Sequence, residues 1–288
     1  MPLSDYGPDR ARNRTKRSNA DSASGPSLLT IRLALAGLVF LVVGFFGLSQ
    51  WSRNQVIPID PLTLCATDRP PRALLAVLID PSSRLAEAQK QLIRLELQRL
   101  IGQSPTLGAV DFFRVEPDVH GVVTPVARMC NPGSAESVNA LYQNVALARK
   151  RWDYFQQRAN TVVDGELERN EDAISPIFEA IQGVALRVFA RSEYDQITYR
   201  RLVVVSDLIQ NVPNGLNQYR ESRSFEDFKR SPYFKKVGAS LNGVDVSVLY
   251  LSRADSGVQG PQHKMFWEQW FEAMGARLNS VDTIQGDR

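Results

Sequence analysis

Cysteine and histidine are nearly missing from this 288-residue chain, which has two of each. With only His120 and His263, and no Cys-x-x-Cys pair, a zinc or redox centre has no donor set to build on. No Gly-x-Ser-x-Gly segment is present either, so the motif that lifts a nucleophilic serine above an α/β sheet is lacking. No repeat at a fixed period is visible, which excludes solenoids and propellers. An excess of one charge is also absent: 34 basic against 31 acidic side chains leave +3. Much of that sits in the N-terminal tail, so the remainder is close to neutral and no nucleic-acid partner is expected.

A long apolar run is present near the start. Leu33 to Leu48 contains no charged residue, and the apolar character extends to Trp51, close to the roughly 20 residues that cross a hydrocarbon core. Arg32 stands where it can snorkel to headgroups, and Trp51 suits the interfacial belt. Arg10, Arg12, Arg14, Lys16 and Arg17 precede the run, whereas Arg53 and Arg69 are the nearest basic residues beyond it. The positive-inside rule then predicts a single-pass protein of a plasma (bacterial inner) membrane, with a cytoplasmic N-terminus and a periplasmic or extracellular C-terminal part. A cleaved signal peptide is the rival, but its apolar region runs about 7 to 15 residues and ends at a small-x-small site. Here the run continues into Gln50-Trp51-Ser52-Arg53. The expected layout is a disordered basic tail over 1–30, a transmembrane helix over 31–51 in contact with lipid, a Pro-rich extended stalk over 52–71, one α/β domain over 72–280 and a short tail over 281–288.

Outside the cytoplasm a lone pair of cysteines is commonly bonded, so Cys65 and Cys130 are a candidate disulfide; two buried thiols are the alternative. Strands are expected at Ala73 to Ile79, Ala109 to Val115, Val122 to Met129, Arg201 to Ser206 and Val244 to Leu251. The first and fourth are almost wholly aliphatic, as central parallel strands covered on both faces are. Arg84 to Ile101 has helical spacing of Leu85, Ala88, Leu92 and Leu95. A helical insertion is expected over about 137–170, with Tyr142, Trp152, Tyr154 and Phe155 able to dock. Gln262 to Leu278, carrying Phe266, Trp267, Trp270, Phe271 and Met274, reads as the last helix.

Two of these strands end in aspartate. The first stops at Asp80-Pro81-Ser82-Ser83 and the fourth at Asp207, while Ser175-Pro176-Ile177-Phe178-Glu179-Ala180 opens a helix between them. In an open parallel sheet, ligands gather at the carboxyl ends of strands, near the point where strand order reverses. Taken in order, these segments resemble the von Willebrand factor A-like (integrin I-like) domains, over roughly residues 72–278. The resemblance implies a doubly wound, mostly parallel Rossmann-like sheet and a metal-ion-dependent adhesion site for Mg²⁺ or Mn²⁺. By position Asp80 and Ser82 match the family's first loop, Ser175 takes its threonine's place and Asp207 is the last aspartate. The departure is at Arg84, where the family's pattern has a second serine; Ser83 is one place off. The competing reading makes Asp80 and Asp207 caps of the turns that follow, with Arg84 pairing one of them in place of a metal.

Three functions follow from these features. The leading one is a membrane-anchored, non-enzymatic module that binds another protein of an envelope or membrane complex. The second is a metal-free scaffold of such a complex. The third is a hydrolase using Ser82 or Asp80 as nucleophile, which lacks a general base near either residue in sequence. Two further segments bear on the rim: the acidic run Glu166, Glu168, Glu171 and Asp172, and the stretch Tyr219 to Lys236, where aromatics alternate with basic residues.

Overall fold

The computed structural model describes residues 28–53, 57–80, 84–117, 123–134, 144–169, 174–221, 223–253 and 256–286. The chain divides between Val56 and Ile57 into two compact units. The first contains helix α1, Leu28–Arg53, 26 residues without a proline. Its described side chains all face outward, including Leu33, Phe40 and Phe45. Among the described residues no helix is long and apolar enough to cross a membrane. The run of α1 with described side chains, 31–47, covers about 26 Å at 1.5 Å per residue, short of the roughly 30 Å hydrocarbon core.

The second unit is a mixed α/β fold on a six-stranded sheet of order β3-β2-β1-β4-β5-β6. The strands are β1 Leu74–Ile79, β2 Ala109–Arg114, β3 Ala127–Cys130, β4 Arg200–Ser206, β5 Asp245–Leu251 and β6 Arg277–Ile284. All pairings are parallel except β2 with β3. β1 sits between β2 and β4, and each of its residues is buried. Alternation then divides its side chains: Leu74, Ala76 and Leu78 enter one core cluster, Leu75, Val77 and Ile79 the other. A strand apolar on both faces has stable positions only inside such a three-layer sandwich.

On the first face, α4 (Ile177–Val184), α5 (Phe225–Lys229), α6 (Pro232–Lys236) and α7 (Pro261–Ala273) carry the aromatic mass. Phe178 stacks on Trp267 at 4.3 Å between centroids and on Phe228 at 5.1 Å. The aromatic stripe of the last helix is therefore core, as its spacing implies. On the second face lie α2 (Glu87–Gly102) and α3 (Val145–Leu167), which packs Phe155, Ala159, Val163 and Leu167 inward. Trp152 and Tyr154 lie against the same cluster; Tyr142 falls outside the described residues.

Three expected boundaries are corrected. The last helix stops at Ala273, because Gly275 takes a left-handed φ of +80°, a glycine conformation that ends helices. Arg277–Ile284 then forms β6, where a helix to Leu278 and a free tail from 281 were expected; the polar residues of an edge strand gave it no apolar run to read. The third strand begins at Ala127 rather than Val122. The segment from Ile57 is docked rather than a free stalk: Ile59 bridges Ala66, Leu64 is buried, and the Thr63 carbonyl accepts from Cys130 N at 2.8 Å.

Cys65 and Cys130 are joined in a disulfide with a sequence separation of 65. It ties this docked segment to edge strand β3. Closing such a loop stabilises by roughly 2 to 4 kcal/mol, largely by restricting the unfolded chain. A Cys65→Ala, Cys130→Ala double variant should therefore unfold at a lower denaturant concentration than the oxidised protein, and reductant should shift the wild type to the variant's midpoint without moving the variant. A variant midpoint equal to that of the oxidised wild type would show that the bond does not stabilise the domain.

Candidate functional site

The strand order reverses between β1 and β4, so the segments leaving their carboxyl ends diverge and open a crevice there. Both strands end in buried aspartates, Asp80 at 3% and Asp207 at 1% exposure. Register brings them together: Ile79 pairs with Val205, and Asp80 N donates to the Val205 carbonyl at 2.9 Å. Asp80 Oδ2 accepts from Ser206 Oγ at 2.8 Å and from Ser175 Oγ at 3.0 Å. Ser175 is placed by a two-way backbone bridge with Asn211, just ahead of α4. Its hydroxyl serves Asp80; it does not cap the helix.

Asp207 is held differently. Its Oδ1 accepts from Ile209 N at 2.8 Å across Leu208, which has a left-handed φ of 58°. A branched residue in that region is strained, and such strain concentrates at functional sites. The other carboxylate oxygen forms a close ion pair with the guanidinium of Arg253, just past the end of β5, without the alignment of a hydrogen bond. Arg253 Nη1 donates to the Tyr219 hydroxyl at 3.1 Å. Gln259 braces the group: its Nε2 donates to the carbonyls of Asp207 and Leu251 at 3.0 and 2.8 Å, and its Oε1 accepts from Arg253 N at 2.7 Å. Burial and the neighbouring charge of Asp80 push the Asp207 carboxyl up to about 7, against the pull of Arg253 and the Ile209 amide.

Behind this rim are two further polar sets. Gln210, fully buried, accepts from Phe178 N and donates to Glu179 and to the Tyr233 hydroxyl, which itself donates to Glu179 at 2.5 Å. Burial and the Glu179 carboxylate raise the Tyr233 hydroxyl far above its ordinary range. His263 Nδ1 is 2.8 Å from the Tyr250 hydroxyl, and burial lowers the imidazole to about 4, so it is neutral at pH 7. Its Nε2 meets Gln218, so its described partners include neither Ser175 nor Ser206.

Of the residues singled out in the sequence, Asp80, Ser175 and Asp207 converge, and Ser206 joins them. Ser82 and Ser83, like His120, lie outside the described residues. Arg84 is exposed and makes no ion pair among the described residues; the cation that meets Asp207 is Arg253. The sequence does hold a signal for it, since Leu251-Ser252-Arg253 ends a third parallel strand on the same rim. Glu166 and Glu168 pair with Arg114 and Lys90, while Glu171 and Asp172 lie outside the description. The Tyr219 to Lys236 stretch supplies Tyr219 to the rim and Tyr233 to the network behind it, and buries Phe225 and Phe228.

A bound Mg²⁺ requires several free oxygen ligands at short range. Here one Asp80 oxygen already accepts two hydroxyls and one Asp207 oxygen faces a guanidinium. Among the described residues no group of three or more His, Cys, Asp or Glu side chains is placed to hold a metal ion. As arranged, the described residues set the Arg253 guanidinium against Asp207, while Ser82, also singled out for a metal, lies outside them.

Neither a protein-family model nor a curated protein sequence matches the chain. Among solved structures, an aerotolerance-related membrane protein from Bacteroides fragilis NCTC 9343, carrying multiple mutations to serine, aligns over 75% of this chain and 92% of its own. Identity is 11% and the TM-score 0.33, a likeness too remote to argue from. The sheet itself defines the class, a mostly parallel α/β fold of Rossmann-like form.

An aspartate raised from 3.8 toward 7 binds its proton more tightly folded than unfolded. Its stabilising contribution is complete below about pH 4 and is lost as pH rises through 7. Asp207→Asn, which keeps the acceptor for Ile209, should thus gain stability relative to wild type as pH rises from 4 to 8. Chemical denaturation across that range tests it. A relative stability that stays flat, or falls only near pH 4, would show that Arg253 keeps Asp207 ionised throughout.

Proposed function

We propose that this chain is a single-pass, membrane-anchored binding module of the von Willebrand factor A-like kind. Its α/β unit lies outside the cytoplasm and engages another protein of an envelope complex through the carboxyl-end rim of the sheet, with Arg253 in the place where the family holds a cation. The observation that carries the reading is the meeting of Asp80, Ser175, Ser206 and Asp207 with Arg253 at the switch point between β1 and β4. His263 meets the Tyr250 hydroxyl and Gln218 and not Ser175 or Ser206, so no serine–histidine pair supports hydrolysis among the described residues.

The anchor reading rests on α1 as a whole. Its sequence is apolar from Leu33 to Leu48 and on to Trp51, close to the roughly 20 residues that cross a hydrocarbon core. A helix that exposes Leu33, Leu38, Phe40, Leu41 and Phe45 all round has no polar face to turn to water. The basic residues ahead of it set the orientation, and the disulfide fits an oxidising compartment. Protease added outside intact spheroplasts should accordingly digest the 57–288 unit and spare an N-terminal tag; protection of that unit would reverse the topology.

One observation favours a cation-dependent alternative: four oxygen-bearing side chains do converge on this rim. The two readings separate in a thermal melt with millimolar Mg²⁺ or Mn²⁺, since a cation at 100 times its dissociation constant adds about 2.7 kcal/mol. Wild type should not respond, and the complex co-purifying with it from solubilised envelopes should survive EDTA yet weaken with Arg253→Ala. A stabilised wild type whose complex is lost in EDTA would establish the cation-dependent site instead.

A further inference from the structure

The two edges of the sheet are unequal. Edge strand β3 spans only Ala127–Cys130 and is tied by the disulfide, whereas β6 runs from Arg277 to Ile284 with no strand on its outer side among the described residues. A long open edge offers unpaired N–H and C=O groups to another chain unless something blunts it. β6 carries no proline or lysine, and its one arginine is held by Asp245. A bulge does interrupt it, where Val246 faces Leu278 but Ser247 faces Ser280, so Ser280–Ile284 is the regular part. The Ile284 carbonyl accepts from Ser252 N, on the β5 side. Backbone alternation then turns Ser280 and Asp282 toward β5, and Val281 and Thr283 outward.

Beside this edge is a groove of about 560 Å³, walled by Glu268 and Glu272 of α7 and by Leu278, Asn279, Ser280 and Val281 of β6. The two glutamates are one helical turn apart, exposed, and without an ion pair among the described residues. Like charges at that spacing destabilise a helix slightly, so nothing within the described fold accounts for their pairing.

We propose that β6 is a docking edge for an extended segment of a partner protein, which adds as a further strand and sets a basic side chain against Glu268 and Glu272. The charge selects the occupant. A second copy, paired edge to edge about a two-fold axis, would bring the same acidic wall against itself. Main-chain bonds supply affinity in strand addition, and side-chain pockets the choice of partner. This surface is separate from the Asp80 and Asp207 rim and does not depend on what binds there.

The test uses the full chain in an uncharged detergent, with two synthetic octapeptides as probes, one alternating valine with lysine and one alternating valine with glutamate. Amide hydrogen exchange at Val281 and Thr283 is the readout. The lysine peptide should slow exchange there and the glutamate peptide should not. Glu268→Gln with Glu272→Gln should weaken the lysine peptide by about fivefold, the scale of two exposed ion pairs. Thr283→Pro, which removes an outward N–H, should abolish protection while the Ser247 and Leu249 amides stay protected. No protection by either peptide, equal protection by both, or protection that grows with protein concentration alone would each overturn the proposal.

Discussion

Two carboxylates buried side by side constrain this structure more than any other feature. Asp80 and Asp207 end adjacent central strands in an apolar sheet, where an unpaired charge is costly and two like charges more so. Each is relieved by different chemistry. Asp80 is solvated from within by the hydroxyls of Ser175 and Ser206. Asp207 has an amide, a guanidinium and a raised affinity for a proton. The turn at Leu208, the bridge from Ser175 to Asn211 and the two carbonyls caught by Gln259 all serve to hold those partners in place.

Such a site differs in kind from a cation cage. A divalent ion supplies two positive charges and leaves when chelated, whereas an arginine supplies one and is covalently permanent. The geometry around Arg253 therefore suits a rim held together by the chain's own side chains. Tyr219, 45% exposed and bonded to that guanidinium, carries the arrangement out to the surface where a partner would meet it. The neutral His263 and the Tyr233 to Glu179 network lie behind the rim and are satisfied internally, so they read as supports of the site.

The sheet that carries this rim is stabilised unevenly. Its centre is closed by aliphatic strands and by aromatic packing around Phe178, while edge β3 is tied by a disulfide and edge β6 is held by its pairing with β5 and by Gln89 and Lys264. Burial ends at two places in this sheet, the carboxyl-end crevice and the β6 edge. They lie in different parts of the fold.

What could be read along the chain was whatever depends on neighbours in sequence. The aliphatic runs of β1 and β4 reveal parallel strands covered on both faces, the spacing in α2 and α7 reveals their core sides, and Asp80 and Asp207 announce themselves because each closes its strand. The apolar run of α1 is equally plain. Other features depend on residues far apart becoming neighbours. Arg253 meets Asp207 only because β5 lies beside β4, and Ser206 reaches Asp80 only through the β1 to β4 register. Arg84, close to Asp80 in sequence, is exposed to solvent. β6 escapes sequence reading because an edge strand with one solvated side needs few apolar residues, and only its pairing with β5 defines it. Periodicity reports which face of an element is buried; which charge lies opposite which is decided by strand order, and that exists only once the sheet has formed.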